Sequence, residues 1–252
     1  MIEIIAEAGV NHDGSLANAL LLVDEAKAAG ANVVKFQMFS AKKLRRPELA
    51  PLELTRSEFE VIKEECDGLG IEFLCTPFDV DAVRFLAELG VKRMKVSSGC
   101  LRNYEILEAV RRTGLPVILS TGMATHSEAS AAEVFLKGAG GVPLTVLHCC
   151  SAYPAPPQDV NLLAMRRLGS PYGYSDHTKG ITAAIAAAAL GASIIEKHLT
   201  LDCRAAGPDH AASIEPDEFR AMVKAIREVE LMLGDGVKRI MPSERKTREL
   251  WP

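Results

Sequence analysis

The sequence has no excess of positive charge: 29 lysines and arginines stand against 33 acidic residues, a net charge of −4 over 252 residues. That balance gives no global reason to expect nucleic acid as a partner. There is no long apolar run either. The longest, residues 181–192, is too short to span a bilayer and so rich in alanine that a closely packed helix accounts for it, so no membrane segment is expected. The N-terminus, Met1-Ile2-Glu3-Ile4-Ile5-Ala6-Glu7, lacks the basic stretch of a secretory leader and reads directly as a strand, which points to a cytoplasmic protein. The six cysteines (Cys66, Cys75, Cys100, Cys149, Cys150 and Cys203) show no CxxC spacing and no disulfide-scaffold density, so reduced, buried thiols are expected. Adjacent Cys149 and Cys150 point to opposite faces of a strand, and at most one of them faces a common site. Gly9-Val10-Asn11-His12-Asp13-Gly14 lacks the GxGxxG spacing that a doubly wound nucleotide-binding sheet needs after its first strand.

What is present is an alternation of strand-like apolar runs and amphipathic helices from end to end, with no low-complexity linker. Strands are expected at residues 3–7, 33–38, 72–75, 93–96, 117–120, 145–149, 172–175 and 193–198. Helices are expected at 16–29, 57–69, 80–89, 103–113, 127–137, 162–168, 180–190 and 216–232. Eight strands each followed by a helix give an α/β fold, a single-domain (β/α)8 TIM barrel over residues 1–252, with 236–252 as a C-terminal tail.

A barrel interior should be packed with branched apolar side chains, and its active site forms at the C-terminal strand ends. Ionisable and polar residues crowd those ends here: Glu7, Lys35, Gln37, Thr76, Lys95, Ser98, Ser120, Thr121, His148, Tyr153, Ser175 and His177, and Glu196 to His198. Lys35 and Gln37 share a face by parity. Two lysines, several hydroxyls and the turns Ser98-Gly99 and Thr121-Gly122 offer the donors that a phosphate monoester needs.

His177 in Ser175-Asp176-His177-Thr178 and His198 in Glu196-Lys197-His198-Leu199 each close an apolar run, so both imidazoles emerge at one rim. Imidazole is the commonest protein ligand for first-row divalent metals. A metal-dependent enzyme with an anionic phosphorylated ligand is one reading; hydrogen-bonded histidines at two strand ends are the other. The run Lys42-Lys43-Leu44-Arg45-Arg46 follows the second strand on the catalytic side and is either a solvated loop or an attractor for a phosphorylated or acidic substrate.

The chain carries Ala6-Glu7-Ala8-Gly9-Val10-Asn11-His12-Asp13-Gly14, Val34-Lys35-Phe36-Gln37, Cys75-Thr76-Pro77-Phe78, Lys95-Val96-Ser97-Ser98-Gly99, Leu119-Ser120-Thr121-Gly122-Met123, His148-Cys149-Cys150-Ser151-Ala152-Tyr153-Pro154, Tyr174-Ser175-Asp176-His177-Thr178, Glu196-Lys197-His198 and Gly207-Pro208-Asp209-His210. In this ordered set it resembles the catalytic barrel of the sialic acid (N-acetylneuraminate) synthases, from the first strand to about Arg248. The resemblance implies condensation of phosphoenolpyruvate with an N-acylated aldose to give a 2-keto-3-deoxy sugar acid and phosphate. It also implies that His177 and His198 bind manganese, or magnesium or cobalt in its place. Lys35, Thr76, Lys95, Ser98, Ser120, Ser151 and Ser175 would hold phosphoenolpyruvate, Gln37, Tyr153 and Asp209 would face the sugar, and Glu7 would be an acid or base. His12, His148 and His210 are expected as supporting polar groups and His126 as a helix-start surface residue.

The sequence departs from the family pattern at two places. Cys100 stands where members carry an acidic residue after the Ser-Gly of the fourth strand, a loss worth about 10²–10⁴ in rate if that carboxylate moves a proton. A reactive Cys100 would need nearby positive charge, and Arg102 is the neighbour in sequence. The family's antifreeze-like domain, which reaches across a homodimer to the partner's sugar site, is not in these 252 residues. Two rival functions remain: a Schiff-base aldolase using Lys95, and a barrel that binds its ligand without turnover.

Overall fold

The computed structural model describes every residue except Ala139, Ser170 and Pro252. In chain order the elements are β1 (Glu3–Gly9), α1 (Leu16–Ala28), β2 (Val33–Met38), a short α2 (Ala41–Leu44), α3 (Arg56–Leu69), β3 (Glu72–Pro77), α4 (Val80–Glu88), β4 (Met94–Val96), α5 (Tyr104–Arg112), β5 (Val117–Ser120), α6 (His126–Lys137), β6 (Leu144–Cys149), β7 (Tyr172–Asp176), α7 (Thr182–Ala189), β8 (Ile194–His198), α8 (Pro216–Leu233) and α9 (Arg245–Glu249). All ladders are parallel and run β3-β2-β1-β8-β7-β6-β5-β4. β3 and β4 pack side by side and bring the sheet round on itself, so the fold is the expected (β/α)8 barrel.

Local chemistry sets the helix starts. Ser15, Asp79 and Asn103 cap α1, α4 and α5 through their side chains, and Thr55 with Glu58 and Thr125 with Glu128 form capping boxes on α3 and α6. His126 is the exposed first residue of α6, as expected. The segment expected to be helical at 162–168 is instead a 3-10 turn, Leu162–Arg167. It begins beside Asn161 in the left-handed region and is too short to build α-helical hydrogen bonds of any length. Between β2 and α3 the chain also forms α2 and a 3-10 turn, Pro47–Leu52, which arch over the barrel mouth.

Inside the barrel, Ile5, Val33, Leu74, Ile118, Leu147 and Ile194 form one apolar plug separate from the larger core under the helices. Strand side chains alternate faces, so the next inward residue on each of these strands is two further on: Glu7, Lys35, Thr76, Ser120, Cys149 and Glu196. Every one of the six is buried. A polar layer therefore sits directly on the plug, where a purely structural barrel would have more branched aliphatics. β7 contributes Gly173 to the lower layer because a Cβ there would lie 2.5 Å from the Ile194 carbonyl oxygen and 2.6 Å from Leu147 Cδ2.

α8 is followed by exposed residues throughout 234–251; Pro252, the last residue of the expected tail, lies outside the described residues. No helix among the described residues is long and apolar enough to cross a membrane.

Candidate active site

A cavity of about 690 Å³ opens above the polar layer, within the range of small-molecule sites. All thirteen side chains singled out from the sequence line it: Glu7, Lys35, Gln37, Thr76, Lys95, Ser98, Ser120, Ser151, Tyr153, Ser175, His177, His198 and Asp209.

The centre is a charge lattice. Lys35 Nζ lies 2.6 Å from Glu7 Oε2 and 3.5 Å from Glu196 Oε2. Lys95 Nζ donates to Ser120 Oγ at 2.6 Å and lies 3.8 Å from Glu196 Oε1. Ser175 Oγ donates to Glu196 Oε1 at 2.8 Å, and Gln37 Nε2 donates to Glu7 Oε1 at 2.9 Å. Burial raises both carboxyls. At Glu7 it outweighs the pull of Lys35 and lifts the group to about 7. At Glu196 it is overcome by Lys35, Lys95 and the Ser175 hydrogen bond, which hold that carboxyl at about 2. The two carboxyls at one site are thus pushed in opposite directions, Glu196 toward the charged form and Glu7 toward exchanging a proton near neutrality. Burial opposes charge on both lysines; Glu196 and Glu7 reverse this at Lys35, which is raised, whereas Lys95 is lowered.

Glu196 counts in the sequence among the polar residues at the strand ends, as the acidic neighbour of His198, but its role as counter-ion of both lysines appears only in the fold. Parity held the signal, since Ile194, Glu196 and His198 must share one face of β8.

Beside the lysines the wall is stripped to hydroxyls. The Gly122 N–H donates to Ser98 Oγ at 2.9 Å, and Ser98 Oγ lies 3.2 Å from Cys149 Sγ. A Cβ on Gly122 would stand 2.1 Å from Ser151 Oγ and 2.9 Å from Ser98 Oγ, so only glycine leaves this pocket of donors open. Ser97 also lines the cavity, its buried hydroxyl beside the Cys100 thiol.

His177 and His198 stand with ring centroids 5.5 Å apart, and Tyr153 lies against both, at 4.3 and 5.8 Å. His177 Nδ1 is 2.6 Å from the Cys150 carbonyl oxygen. A carbonyl only accepts, so Nδ1 carries the proton and Nε2, 3.5 Å from Ser175 Oγ, keeps its lone pair. His198 Nδ1 is buried with no hydrogen-bond partner among the described residues and sits 3.8 Å from Asp209 Oδ2. Burial holds both imidazoles below their ordinary pKa, His198 well below, and they are neutral. Neutral rings, one oriented by a backbone carbonyl, with a carboxylate alongside, are a donor set that fits a divalent first-row metal. Among the described residues, one group of three ligand-type side chains has its ligand atoms within 4.8 Å: Asp202, Cys203 and Glu215. It lies at the surface with Asp202 bound by Arg204, away from this cavity.

Asp209 arrives on the loop after β8, where burial raises it to about 6. Ser213 Oγ donates to the Asp209 carbonyl at 2.7 Å and accepts from Asn11 Nδ2 at 2.8 Å. His210 bridges Asp13 Oδ1 at 3.0 Å and Thr200 Oγ1 at 2.7 Å, and His148 Nε2 binds the Val160 carbonyl at 2.7 Å. Burial lowers His12 to about 4, and its Nδ1 accepts from the Gly14 N–H at 3.0 Å. These three histidines support loops, as expected.

Cys100 is buried in the cavity wall, and burial pushes its thiol up. Arg102 points to Glu128 at 3.2 Å, so Cys100 is a neutral thiol and not an activated nucleophile. In the basic run, Lys43 is occupied by Asp81 and Asp79, at 2.6 and 3.1 Å, and Arg46 pairs with Glu48. Arg46 and Leu44 reach the cavity, beside Phe39, Leu49 and Phe78.

The sequence profile of the NeuB family matches residues 22–238. The N,N′-diacetyllegionaminic acid synthase of Legionella pneumophila is 42% identical over 275 residues, spanning 98% of this chain and 77% of that protein. The N-acetylneuraminate-9-phosphate synthase of Homo sapiens is 35% identical over 274 residues, spanning 98% of this chain and 75% of that protein. A crystal structure of N-acetylneuraminic acid (sialic acid) synthetase from Leptospira borgpetersenii serovar Hardjo-bovis, in complex with citrate, superposes with a TM-score of 0.91 at 39% identity, covering 99% of this chain and 90% of that one. This chain therefore belongs to the NeuB family of sialic acid synthase-type enzymes.

Proposed function

We propose that the chain condenses phosphoenolpyruvate with the open-chain form of an N-acylated hexosamine-type aldose, releasing phosphate and a nonulosonic 2-keto-3-deoxy acid. The observation that carries this reading is the buried pair Lys35 and Lys95 within a layer of hydroxyls, next to two neutral histidines. The lysines, with Thr76, Ser98, Ser120, Ser151 and Ser175, suit a ligand bearing both phosphate and carboxylate. Glu196 holds the lysine ammonium groups in place before the ligand arrives.

C3 of phosphoenolpyruvate bonds to the aldehyde carbon, whose oxygen takes a proton. Water adds at C2, and phosphate leaves with its bridging oxygen as the C2–O bond breaks. Glu7 is placed to accept the proton from that water, with Lys35 and Gln37 fixing its two oxygens. His177 and His198 would hold a divalent ion, manganese first and magnesium or cobalt in its place, which supplies Lewis acidity toward a carbonyl oxygen. Gln37, Tyr153 and Asp209 face the sugar. The apolar wall of Phe39, Leu49 and Phe78 suits acyl methyl groups, with Arg46 as the one cation of the basic run that lines the cavity.

A base with a pKa of about 7 is lost on acidification, so kcat is expected to fall as pH drops through about 7, and Glu7→Gln should remove that limb while lowering the plateau by about 10²–10⁴. Steady-state rates between pH 5.5 and 9 check this; an unchanged acid limb in the variant assigns the base elsewhere.

The lowered pKa of Lys95 favours one rival, an imine-forming aldolase. Phosphate release with manganese and a panel of N-acyl hexosamines separates the readings. Acceptor-dependent, chelator-sensitive release supports the synthase. Borohydride trapping of pyruvate on Lys95 with chelator-resistant activity supports the aldolase, and ligand binding with no release for any acceptor supports a binding-only barrel.

A further inference from the structure

Immediately before each histidine of the pair sits a charged residue that faces away from the cavity. Asp176 and Lys197 are register partners on β7 and β8, and both side chains are fully buried. Lys197 Nζ lies 3.0 Å from Asp176 Oδ2 and also donates to the Thr178 carbonyl. Asp176 Oδ1 accepts from the Thr178 N–H at 2.9 Å and from Tyr174 Oη at 3.2 Å. One ammonium therefore grips the residues on both sides of His177 from the position next to His198. On the inner face the same two strands are tied by Ser175 and Glu196.

A buried ion pair is weak evidence for stability, because desolvation consumes much of its Coulomb gain. Its location at the last shared register before two imidazoles is specific. We propose that Lys197, acting with Asp176, is a positioning residue that sets the spacing and aim of the His177–His198 pair. This inference rests on the divalent-ion reading of that pair.

Electrostatics and positioning predict opposite signs. Removing the Lys197 charge would strengthen the attraction for a cation at the histidines; losing the tie would loosen the ligand geometry and weaken it. The test is Mn2+ titration followed by electron paramagnetic resonance, without substrates, on wild type, His177→Ala, Lys197→Met and the double variant Asp176→Asn/Lys197→Met. Lys197→Met keeps the aliphatic stem but leaves a buried, unpaired carboxylate, so its melting temperature falls. The double variant leaves no such charge and regains melting temperature. Both are expected to bind Mn2+ about 10–100-fold more weakly than wild type, the usual effect of losing an outer-sphere support. If the single variant does not fold, the double variant decides. Wild-type or tighter affinity in the folded double variant overturns the positioning role. Absence of Mn2+ binding in wild type, or undiminished binding in His177→Ala, overturns the two-histidine site itself and this inference with it.

Discussion

His198→Ala is expected to lower turnover by about three orders of magnitude or more while leaving the protein folded. Lewis-acid assistance is worth several kcal/mol of charge stabilisation, and each 1.36 kcal/mol is tenfold in rate. The protein should survive the change because His198 has little to orphan: among the described residues its Nδ1 has no hydrogen-bond partner, and the carboxylate beside it is Asp209 at 3.8 Å. Asp209, freed of its imidazole neighbour, remains held through its backbone carbonyl by Ser213, whose hydroxyl accepts in turn from Asn11. Phosphate-release rates at saturating manganese, set beside a thermal melt, check both halves. A folded variant retaining activity within about tenfold of wild type would remove His198 from the chemistry.

Lys35→Met is expected to fail in the opposite way, through stability as much as through binding. Lys35 neutralises Glu7 and Glu196 at 2.6 and 3.5 Å in a buried layer. Without it two buried carboxyls face each other, and breaking such a pair from one side costs about 3–5 kcal/mol. For a domain of this size that lowers the melting temperature by on the order of 10 °C. Phosphoenolpyruvate affinity should drop by about 10² or more, since truncating one partner of a buried charged contact costs about 2–5 kcal/mol. Calorimetric titration and melting curves read the two effects. Lys35→Met/Glu7→Gln, which leaves a single carboxylate, should regain part of the stability and none of the affinity; a Lys35→Met protein with unaltered melting would mean that the lattice is not what holds the layer.

Much of the fold was legible because strand parity and helix capping are local. β2 (Val33–Met38) and β5 (Val117–Ser120) have the expected bounds, and the other strands differ by one or two residues at their ends. Once the strands are in register, parity also brings Glu7, Lys35, Thr76, Ser120, Ser175 and His198 to one cavity. Three features depend on contacts that no local pattern encodes. Glu196 read as a flank of His198, and its role as the counter-ion of both lysines follows only from barrel closure, which brings β2 and β4 to face β8. Asp176 reads from the sequence as an acidic neighbour of His177 able to act in its outer shell, but its tie to Lys197 depends on the β7–β8 register. The arch over the mouth, through α2 and Pro47–Leu52, read as a basic loop, although its apolar residues Leu44 and Leu49 are the ones that line the cavity with Arg46.

The most direct measurement is carbon-13 NMR of the product formed from phosphoenolpyruvate labelled at C3, with manganese and an N-acyl hexosamine acceptor. The expected result is a labelled methylene next to a 2-keto carbon and coupled to the former aldehyde carbon of the sugar, formed in step with phosphate. Labelled pyruvate with unchanged sugar, or phosphate release that ignores the acceptor, would contradict carbon–carbon bond formation at this site.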